Sequence, residues 1–175
     1  IGETVTRRSV VEDVTLKQGR SGRLCFVTVT HQFSSGGRDM LTERQDIVYR
    51  DEPPAGAAPA APPPAPAGAQ QRRIDTGPAR LFRYSALTFN SHGIHYDAPY
   101  ALEQERYRGL VVHGPLTASL LLQLAAERFG ENRLAQFGFR GVSPAIAGEA
   151  LHLVLRGAGD KAMGPGADIS EFETE

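Results

Sequence analysis

The sequence lacks the features that would place it in a membrane or on a nucleic acid. No run approaches the roughly 20 consecutive apolar residues that cross a bilayer, and the longest apolar stretch, residues 116–126, is interrupted by Thr117, Ser119 and Gln123. The formal net charge is −1, from 19 basic and 20 acidic residues, without the basic clustering that binding to phosphate backbones requires. No basic start followed by an apolar run marks a secretory signal peptide. We therefore expect a soluble globular protein with neither a membrane partner nor a nucleic-acid partner.

Cysteine is also nearly absent. Cys25 is the single cysteine of the sequence, which excludes an internal disulfide. It lies in the alternating, strand-like segment 24–29, which predicts a small buried hydrophobic side chain in a reducing compartment. The cytoplasm is therefore the expected location.

The distribution of proline and glycine divides the 175 residues into three parts. Residues 1–52 are rich in Val, Thr and Phe and predict β-strands joined by glycine-rich turns. The strand-like runs are 9–16, 23–33 and 41–49, and the turns are 19–22 and 36–37. Residues 53–71 are dominated by Ala and Pro, which favours an extended linker over a packed core. Residues 72–175 form a second predicted domain.

The second domain contains the best helix pattern in the chain, residues 115–129. Pro115 suits a first helical turn, where its missing N–H is not needed, and Gly130 is a suitable stop. An apolar stripe at helical spacing is formed by Leu116, Leu120, Leu121 and Leu124. A short helical segment, 99–107, precedes this helix, and strand-like segments, 135–142 and 149–155, follow it. One central apolar helix followed by strands predicts an α+β domain in which a curved antiparallel sheet wraps around the helix.

Two clusters in the second domain carry side chains suited to chemistry. Residues 89–97 read FNSHGIHYD and contain Asn90, His92, His95 and Asp97. Histidine has an unperturbed pKa near neutrality, so it suits reversible acid–base catalysis. The second cluster, residues 109–115, ends where the apolar helix begins. Because backbone N–H groups at a helix N-terminus are unpaired and partially positive, Gly114 N–H can stabilise an oxygen that gains negative charge.

Each cluster taken alone has other interpretations. The two histidines can simply cap a turn, and His113–Gly114 can be an ordinary turn before a helix. The His92-x-x-His95 spacing can chelate a metal, but no third ligand at a recognised spacing accompanies it, so no metal site is expected. Asp97 can either orient a histidine or cap the following helical segment.

Together, the two clusters resemble the MaoC-like (R)-specific enoyl-CoA hydratases and dehydratases. The signature of that family runs Gly-Asp-x-Asn-Pro-(Ile/Leu)-His and is followed by a loop that ends in His-Gly before the central helix. The match is closest to the branch that contains mitochondrial 3-hydroxyacyl-thioester dehydratases and mesaconyl-C4-CoA hydratases, in which Phe-Asn-x-His-x-Ile-His-Tyr-Asp is typical. The segments 19–22 and 45–51 also resemble the end of that branch's first hot-dog half.

The resemblance implies a hot-dog fold, arranged as a double hot-dog whose N-terminal half is incomplete because residues 1–52 hold no helix pattern. It implies reversible addition of water to a 2-enoyl thioester, with His95 as acid and base, Asn90 holding the water and Gly114 N–H receiving the negative charge. The other predicted substrate contacts are His92, His113, Arg106 and Arg108. The two arginines lie near the loop at Gly109, where they can meet the phosphates of coenzyme A or can equally be solvated charges on a helix face. Coenzyme A enters as part of the substrate, no other cofactor is expected, and the expected assembly is a homodimer.

The sequence departs from the family pattern at three places. Asn90 replaces the aspartate of the broader signature and cannot act as a base, although its amide can hold a water molecule. Gly93 stands where the branch often has Arg, which predicts a looser turn or a lost substrate contact. Residues 157–175 are rich in glycine and acidic residues where the family continues with core strands, so an incomplete or altered sheet is expected there.

Two other functions fit parts of the pattern. A hot-dog thioesterase uses the same donor at the helix start, but it generally relies on a carboxylate or glutamine that directs water to the carbonyl. The pairing of Asn90 with His95 favours addition of water at C3 instead. The second alternative is a non-catalytic domain that binds acyl groups, which the replacement at position 90 leaves open.

Overall fold

The computed structural model describes residues 2–19, 22–51, 70–131, 134–155, 162–164 and 167–168. The chain divides into two compact units, residues 1–57 and residues 58–175. The division falls inside the predicted linker, residues 53–71. Of that segment only residues 70 and 71 are described, and they begin a β-strand, so its role as a linker stays a prediction.

The N-terminal unit is a three-stranded antiparallel sheet in the order β1-β2-β3. The strands are β1 (Val5–Gly19), β2 (Gly22–Ser35) and β3 (Arg38–Arg50), so all three predicted strands are confirmed and are longer than expected. Gly36 and Gly37 connect β2 to β3 with φ angles of 56° and 74°, a left-handed pair that a tight hairpin turn requires. In the part of this unit that the structure describes there is no helix, as the sequence predicts.

One face of this sheet is apolar because its register aligns apolar residues across the three strands. Val14 pairs with Val27, which pairs with Ile47 on β3, and the neighbouring row joins Leu16, Cys25 and Tyr49. This face is exposed on the edge strand β1, where Leu16 is 78% exposed. Cys25 is a free, half-buried thiol, so the prediction of a fully buried side chain is corrected.

The C-terminal unit combines a five-stranded antiparallel sheet with two α-helices. The strand order is β4-β6-β7-β8-β5. The strands are β4 (Gln70–Ile74), β5 (Arg140–Gly141), β6 (Leu151–Leu155), β7 (Ala162–Gly164) and β8 (Ala167–Asp168). The sheet therefore includes strands from the glycine-rich end of the chain. The rest of residues 157–175 lies outside the described residues.

The predicted central helix is confirmed as α2 (Gly114–Phe129). It begins with a proline in its first turn and ends at Gly130, whose N–H donates to Ala126 O at 2.8 Å. Leu121 and Leu124 are buried against Leu153 of β6, so this part of the apolar stripe faces the sheet. This packing of an antiparallel sheet on one helix agrees with the α+β prediction.

A second helix, α1 (Pro78–Thr88), was not predicted as a helix from the sequence. Leu81 and Ser85 are buried one helical turn apart on the same side of α1. Leu81 packs in a second apolar cluster with Ala101, Leu110 and Leu116. This cluster joins α1, the loop before α2 and the first turn of α2 into one body.

Two other sequence predictions are corrected. Residues 135–142 form a strand only at Arg140–Gly141, because Phe137 and Phe139 pack against the α2 cluster from an irregular backbone. The predicted helical segment 99–107 shortens to a single π-helical turn, Tyr100–Gln104. None of the helices in the described part of the chain combines the length and the apolar composition needed to cross a membrane.

Candidate active site

The residues that follow α1 form a series of tight turns that bring the first histidine cluster back onto the domain. The helix ends at Phe89, which has a left-handed φ of 53°, and the next N–H, of Asn90, donates to Ser85 O at 2.9 Å. Asn90 Oδ1 then accepts the N–H of His92 at 3.0 Å. Gly93–His95 form a short 3₁₀ turn. The polar side chain of Asn90 thus fixes the path of the chain into the site.

His95 is held in a defined tautomer by a backbone carbonyl. The side chain is 8% exposed, and Nδ1 lies 2.7 Å from Val111 O. Because a carbonyl can only accept a hydrogen bond, Nδ1 carries the proton, and in the neutral ring Nε2 carries the lone pair. No described residue hydrogen-bonds to Nε2, and this atom is not among the fully enclosed polar atoms, so it stays open to solvent.

The environment of His95 keeps its ring neutral. Burial lowers the pKa of His95 below its usual value, the hydrogen bond to Val111 opposes this effect, and the nearby His92 adds to it. The two imidazole centroids of His92 and His95 lie 6.0 Å apart. A neutral imidazole with an open Nε2 lone pair is the form that a general base requires.

The loop before α2 is anchored to the same turns by backbone hydrogen bonds. Val111 N–H donates to Ile94 O at 2.8 Å, and Val112 N–H donates to Ala145 O at 2.8 Å. These bonds place the carbonyl of Val111 beside the residue that follows Ile94, which is His95. The group that orients His95 is therefore a main-chain carbonyl, and no side-chain pattern in the sequence could reveal it.

His113 lies directly behind His95 and is enclosed. It is 1% exposed, its ring stacks on the His95 ring with centroids 3.6 Å apart and planes 16° apart, and its Nε2 lies 2.8 Å from Ser85 Oγ. Burial, with a smaller effect of His95, lowers the pKa of His113 to about 4. Neither ring nitrogen of His113 is accessible in this arrangement, and its predicted contact with substrate stays a prediction.

Gly114 is the first residue of α2 and follows this enclosed histidine. It is exposed, and as the first helical residue its N–H has no partner within the helix. A Cβ built on Gly114 would lie 3.8 Å from the ring of Phe139. Since His95 stacks on the residue next to Gly114, the imidazole and the start of α2 occupy one region of the domain. Their catalytic roles stay predictions.

A groove of about 620 Å³ opens beside the turns. The residues that line it are Phe89, Asn90, Ser91, His92, Gly93, Tyr96, Asp97 and Tyr100. His92 is exposed there, so its predicted contact with substrate is compatible with its position. Asn90 is half-buried and lines the groove, and its side-chain oxygen accepts one hydrogen bond, which leaves one lone pair for a second donor.

The two predicted arginine contacts differ in their surroundings. Arg108 forms two hydrogen bonds of 2.6 Å with the carboxylate of Glu149, and its side chain is 22% exposed. A phosphate would therefore compete with Glu149 for this guanidinium. Arg106 is exposed and has a left-handed φ of 58°. The surroundings of Arg106 and Arg108 are compatible with either presence or absence of coenzyme A, so both contacts stay predictions.

Asp97 and Gly93 each have a structural role. Asp97 Oδ1 accepts the N–H of Tyr100 at 3.1 Å, so it caps the following helical turn, and His95 is oriented by Val111 instead. A Cβ on Gly93 would lie 2.7 Å from Cδ1 of Tyr100. The glycine is therefore needed for close packing against an aromatic ring, and a larger residue would displace that ring.

Ser85 is the site residue that sequence reasoning missed. A buried serine inside a helix has no motif of its own, and only the fold brings its hydroxyl to His113. The signal that could have found it is its spacing of four residues from buried Leu81, which places a polar group on the apolar face of α1.

The chain is similar to known proteins over most of its length. The family described as hydroxyacyl-thioester dehydratase type 2 matches residues 1–147. A mesaconyl-C(4)-CoA hydratase from Chloroflexus aurantiacus is 42% identical over 177 aligned positions, which cover 94% of this chain and 60% of that protein. A mitochondrial hydroxyacyl-thioester dehydratase type 2 from Schizosaccharomyces pombe is 36% identical over 85 residues, or 47% of this chain and 28% of that protein. The chain thus spans less than two thirds of these relatives.

The fold is shared with a solved structure of low sequence identity. A MaoC-like dehydratase from Phytophthora capsici superposes with a TM-score of 0.68 at 14% identity, covering 98% of this chain and 63% of that one. The predicted hot-dog fold and the resemblance to the MaoC-like proteins are therefore confirmed. From the extent of the family match, the chain belongs to the hydroxyacyl-thioester dehydratase type 2 family.

Proposed function

We propose that this protein catalyses the reversible addition of water to a 2-enoyl-CoA, giving a 3-hydroxyacyl-CoA. The observation that carries the proposal is the tautomer of His95. Its Nδ1–H donates to Val111 O, its Nε2 has no hydrogen-bond partner among the described residues, and its ring stacks on His113, the residue before the N-terminus of α2. A base and an oxyanion donor in one region are the two groups that this chemistry needs.

In the direction of hydration, His95 Nε2 removes a proton from water held by Asn90, and the resulting oxygen bonds to C3. The electron pair of the C2–C3 double bond moves toward the thioester carbonyl, and the negative charge on that oxygen is received by Gly114 N–H at the helix start. The imidazolium of His95 then returns its proton to C2, on the face where the oxygen was added. Dehydration is the reverse path.

The thioester supplies the activation that makes the reaction possible at neutral pH. It acidifies C2 by delocalising charge onto its carbonyl oxygen, so the proposed steps need no metal and no redox cofactor. One donor of the Gly114 type commonly lowers a barrier by about 3 to 4 kcal/mol. Coenzyme A is proposed as the carrier of the acyl group, and acyl carrier protein is the alternative carrier.

The proposal is tested with purified protein and a short 2-enoyl-CoA such as crotonyl-CoA. We expect loss of the enoyl absorbance without release of free thiol, and we expect His95→Ala to lower turnover by about 10²- to 10⁴-fold. His31→Ala is the matched control, because His31 lies on β2 and contacts Ser9. Thiol release would indicate a thioesterase, and an unchanged rate in His95→Ala would overturn the assignment of the base.

The Chloroflexus relative is named for mesaconyl-C(4)-CoA, so a branched dicarboxylic enoyl-CoA belongs in the substrate panel beside crotonyl-CoA. A higher kcat/KM for the branched substrate would assign the same preference to this chain. A preference for straight-chain substrates would instead separate this protein from that relative.

The proposed contacts of Arg106 and Arg108 with coenzyme A are tested with two forms of the same acyl group. An alanine at either position is expected to raise KM for the CoA thioester by about tenfold or more, because each removes a charged partner of a phosphate. The KM for the pantetheine thioester, which lacks the nucleotide phosphates, is expected to stay the same. An equal effect on both substrates would refute the contacts.

We also propose a cytoplasmic location, a homodimer and a role in fatty acid metabolism. A cytoplasmic location is supported by the free thiol of Cys25, and association of chains is supported by the exposed apolar face of the β1-β2-β3 sheet. A role in fatty acid metabolism follows from the proposed substrate. Light scattering during size-exclusion chromatography tests the dimer, and a monomer mass would refute it.

A further inference from the structure

Two buried polar residues lie beside the proposed base and take no part in the mechanism above. Ser85 is 5% exposed on α1, and His113 is 1% exposed just before α2. They hydrogen-bond to each other through Ser85 Oγ and His113 Nε2 at 2.8 Å. Burying polar side chains costs free energy unless an interaction compensates for it. The burial of both residues beside His95 therefore indicates that they have a role there.

The hydrogen bond to Val111 O does not by itself fix the orientation of the His95 ring. A single contact at Nδ1 leaves the ring able to rock about it, and the terminal torsion of histidine is broad. The face of His113 lies parallel to the His95 ring at a centroid distance of 3.6 Å. This face contact restricts the rocking and thereby fixes the direction in which Nε2 presents its lone pair.

His113 is itself held from two sides. Ser85 fixes one nitrogen of the ring, and Tyr84 packs against the ring edge to face, with centroids 4.8 Å apart and planes 63° apart. Its Nδ1 is enclosed without a partner among the described residues. The tautomer that leaves no buried N–H unpaired therefore has the proton on Nε2, which donates to Ser85 Oγ.

A neutral imidazole also suits the change of charge that the reaction requires. When His95 takes the proton of water it becomes a cation, and a neutral ring stacked on its face adds no charge repulsion. Because burial and the neighbouring His95 hold the pKa of His113 at about 4, His113 does not compete for the proton. The His113 ring is therefore held in place and does not itself exchange protons at neutral pH.

We propose that Ser85 and His113 are positioning residues for His95: Ser85 anchors the His113 ring, and the face of that ring sets the orientation of the base. This inference rests on the proposed function, since it assigns a role in the reaction that His95 performs. Neither residue contacts the substrate. Their effect on the rate passes through the imidazole of His95.

The experiment measures kcat and KM for crotonyl-CoA in four variants. His113→Ala removes the ring and is expected to lower kcat by about 10²-fold with little change in KM, as a misplaced catalytic group does. His113→Phe keeps a flat ring on His95 and is expected to recover most of that loss. Ser85→Ala is expected to lower kcat by about fivefold to tenfold. Combining Ser85→Ala with His113→Ala should reduce kcat no further than His113→Ala alone, because Ser85 acts through His113.

Two controls separate positioning from a general loss of structure. Thr76→Val changes another buried polar residue, which is 1% exposed and whose hydroxyl has no hydrogen-bond partner among the described residues, and it should leave kcat unchanged. Melting curves establish that each variant is folded at the assay temperature. If His113→Ala does not fold, His113→Phe and Ser85→Ala still test the proposal. The proposal is overturned if kcat of Ser85→Ala equals that of the wild type. It is also overturned if His113→Phe is folded but inactive.

A measurement without turnover distinguishes failure of this proposal from failure of the proposed function. NMR relaxation of the ¹³C-labelled His95 ring in the resting protein reports how freely the ring rocks. We expect a rigid ring in the wild type and a larger amplitude of ring motion in His113→Ala, while Val111 O keeps the proton on Nδ1 in both proteins. An inactive wild type with this difference in ring motion would refute the proposed function and support the positioning role. Equal motion of the His95 ring in both proteins would overturn the positioning role whether or not the protein is active.

Discussion

Acidification should destabilise this protein through His113 before most carboxylates are protonated. The pKa of His113 is lowered from 6.5 to about 4, chiefly by burial. Between these values the unfolded chain binds a proton at this residue and the folded chain does not, so the free energy of unfolding falls as the pH falls from 6.5 toward 4. At about 1.4 kcal/mol per pKa unit, the loss amounts to about 3 kcal/mol. Above pH 6.5 this residue contributes no pH dependence.

The assay is urea unfolding at several values from about pH 4 to about pH 7, for the wild type and for His113→Phe. The helical signal in circular dichroism follows the C-terminal unit, because both described α-helices lie there. Phenylalanine fills the same space and cannot take up a proton, so the difference between the two proteins isolates His113. His95 and the carboxylates titrate in both. If the two proteins lose stability in parallel over this range, the reasoning about His113 is refuted.

Two further predictions concern the turns that carry the site. Gly93→Ala is expected to destabilise the fold by about 1 to 3 kcal/mol, because its Cβ would lie 2.7 Å from the Tyr100 ring. Gly141→Ala is the control, because a Cβ at that position meets no atom within 4 Å. Equal melting temperatures of the two variants would contradict this prediction. Asp97→Ala removes the cap on Tyr100 N–H and is expected to lower stability by about 1 kcal/mol while kcat changes less than about twofold. Urea unfolding and turnover measure the two effects, and a loss of kcat as large as that of His95→Ala would show that Asp97 orients the base after all.

Some elements could be predicted from local sequence because their cause is local. The N-terminal strands follow from alternating β-branched residues, and the hairpin after β2 follows from two glycines that adopt positive φ. The limits of α2 follow from Pro115 and Gly130, and its buried side follows from leucines at helical spacing. The two histidine clusters also indicated where in the chain the candidate site lies.

Other elements could not be predicted because their cause is distant in the chain. Phe137 and Phe139 alternate as in a strand, yet they pack on the α2 cluster while the backbone pairs only at the end of that segment. Helix α1 places Leu81 in an apolar cluster with residues from the loop and helix further along the chain. In both cases packing against remote residues decided a local conformation for which the sequence pattern was insufficient.

The amino-acid sequence specifies the available chemical groups: a histidine suited to proton transfer, an asparagine before it and a glycine at the start of an apolar helix. Folding sets the environment of these groups. The carbonyl of Val111 selects the tautomer of His95, and His113 is enclosed behind it against Ser85. These contacts could not be read from the sequence, because a carbonyl acceptor, a ring stack and a buried environment are made by segments that meet only in the folded chain.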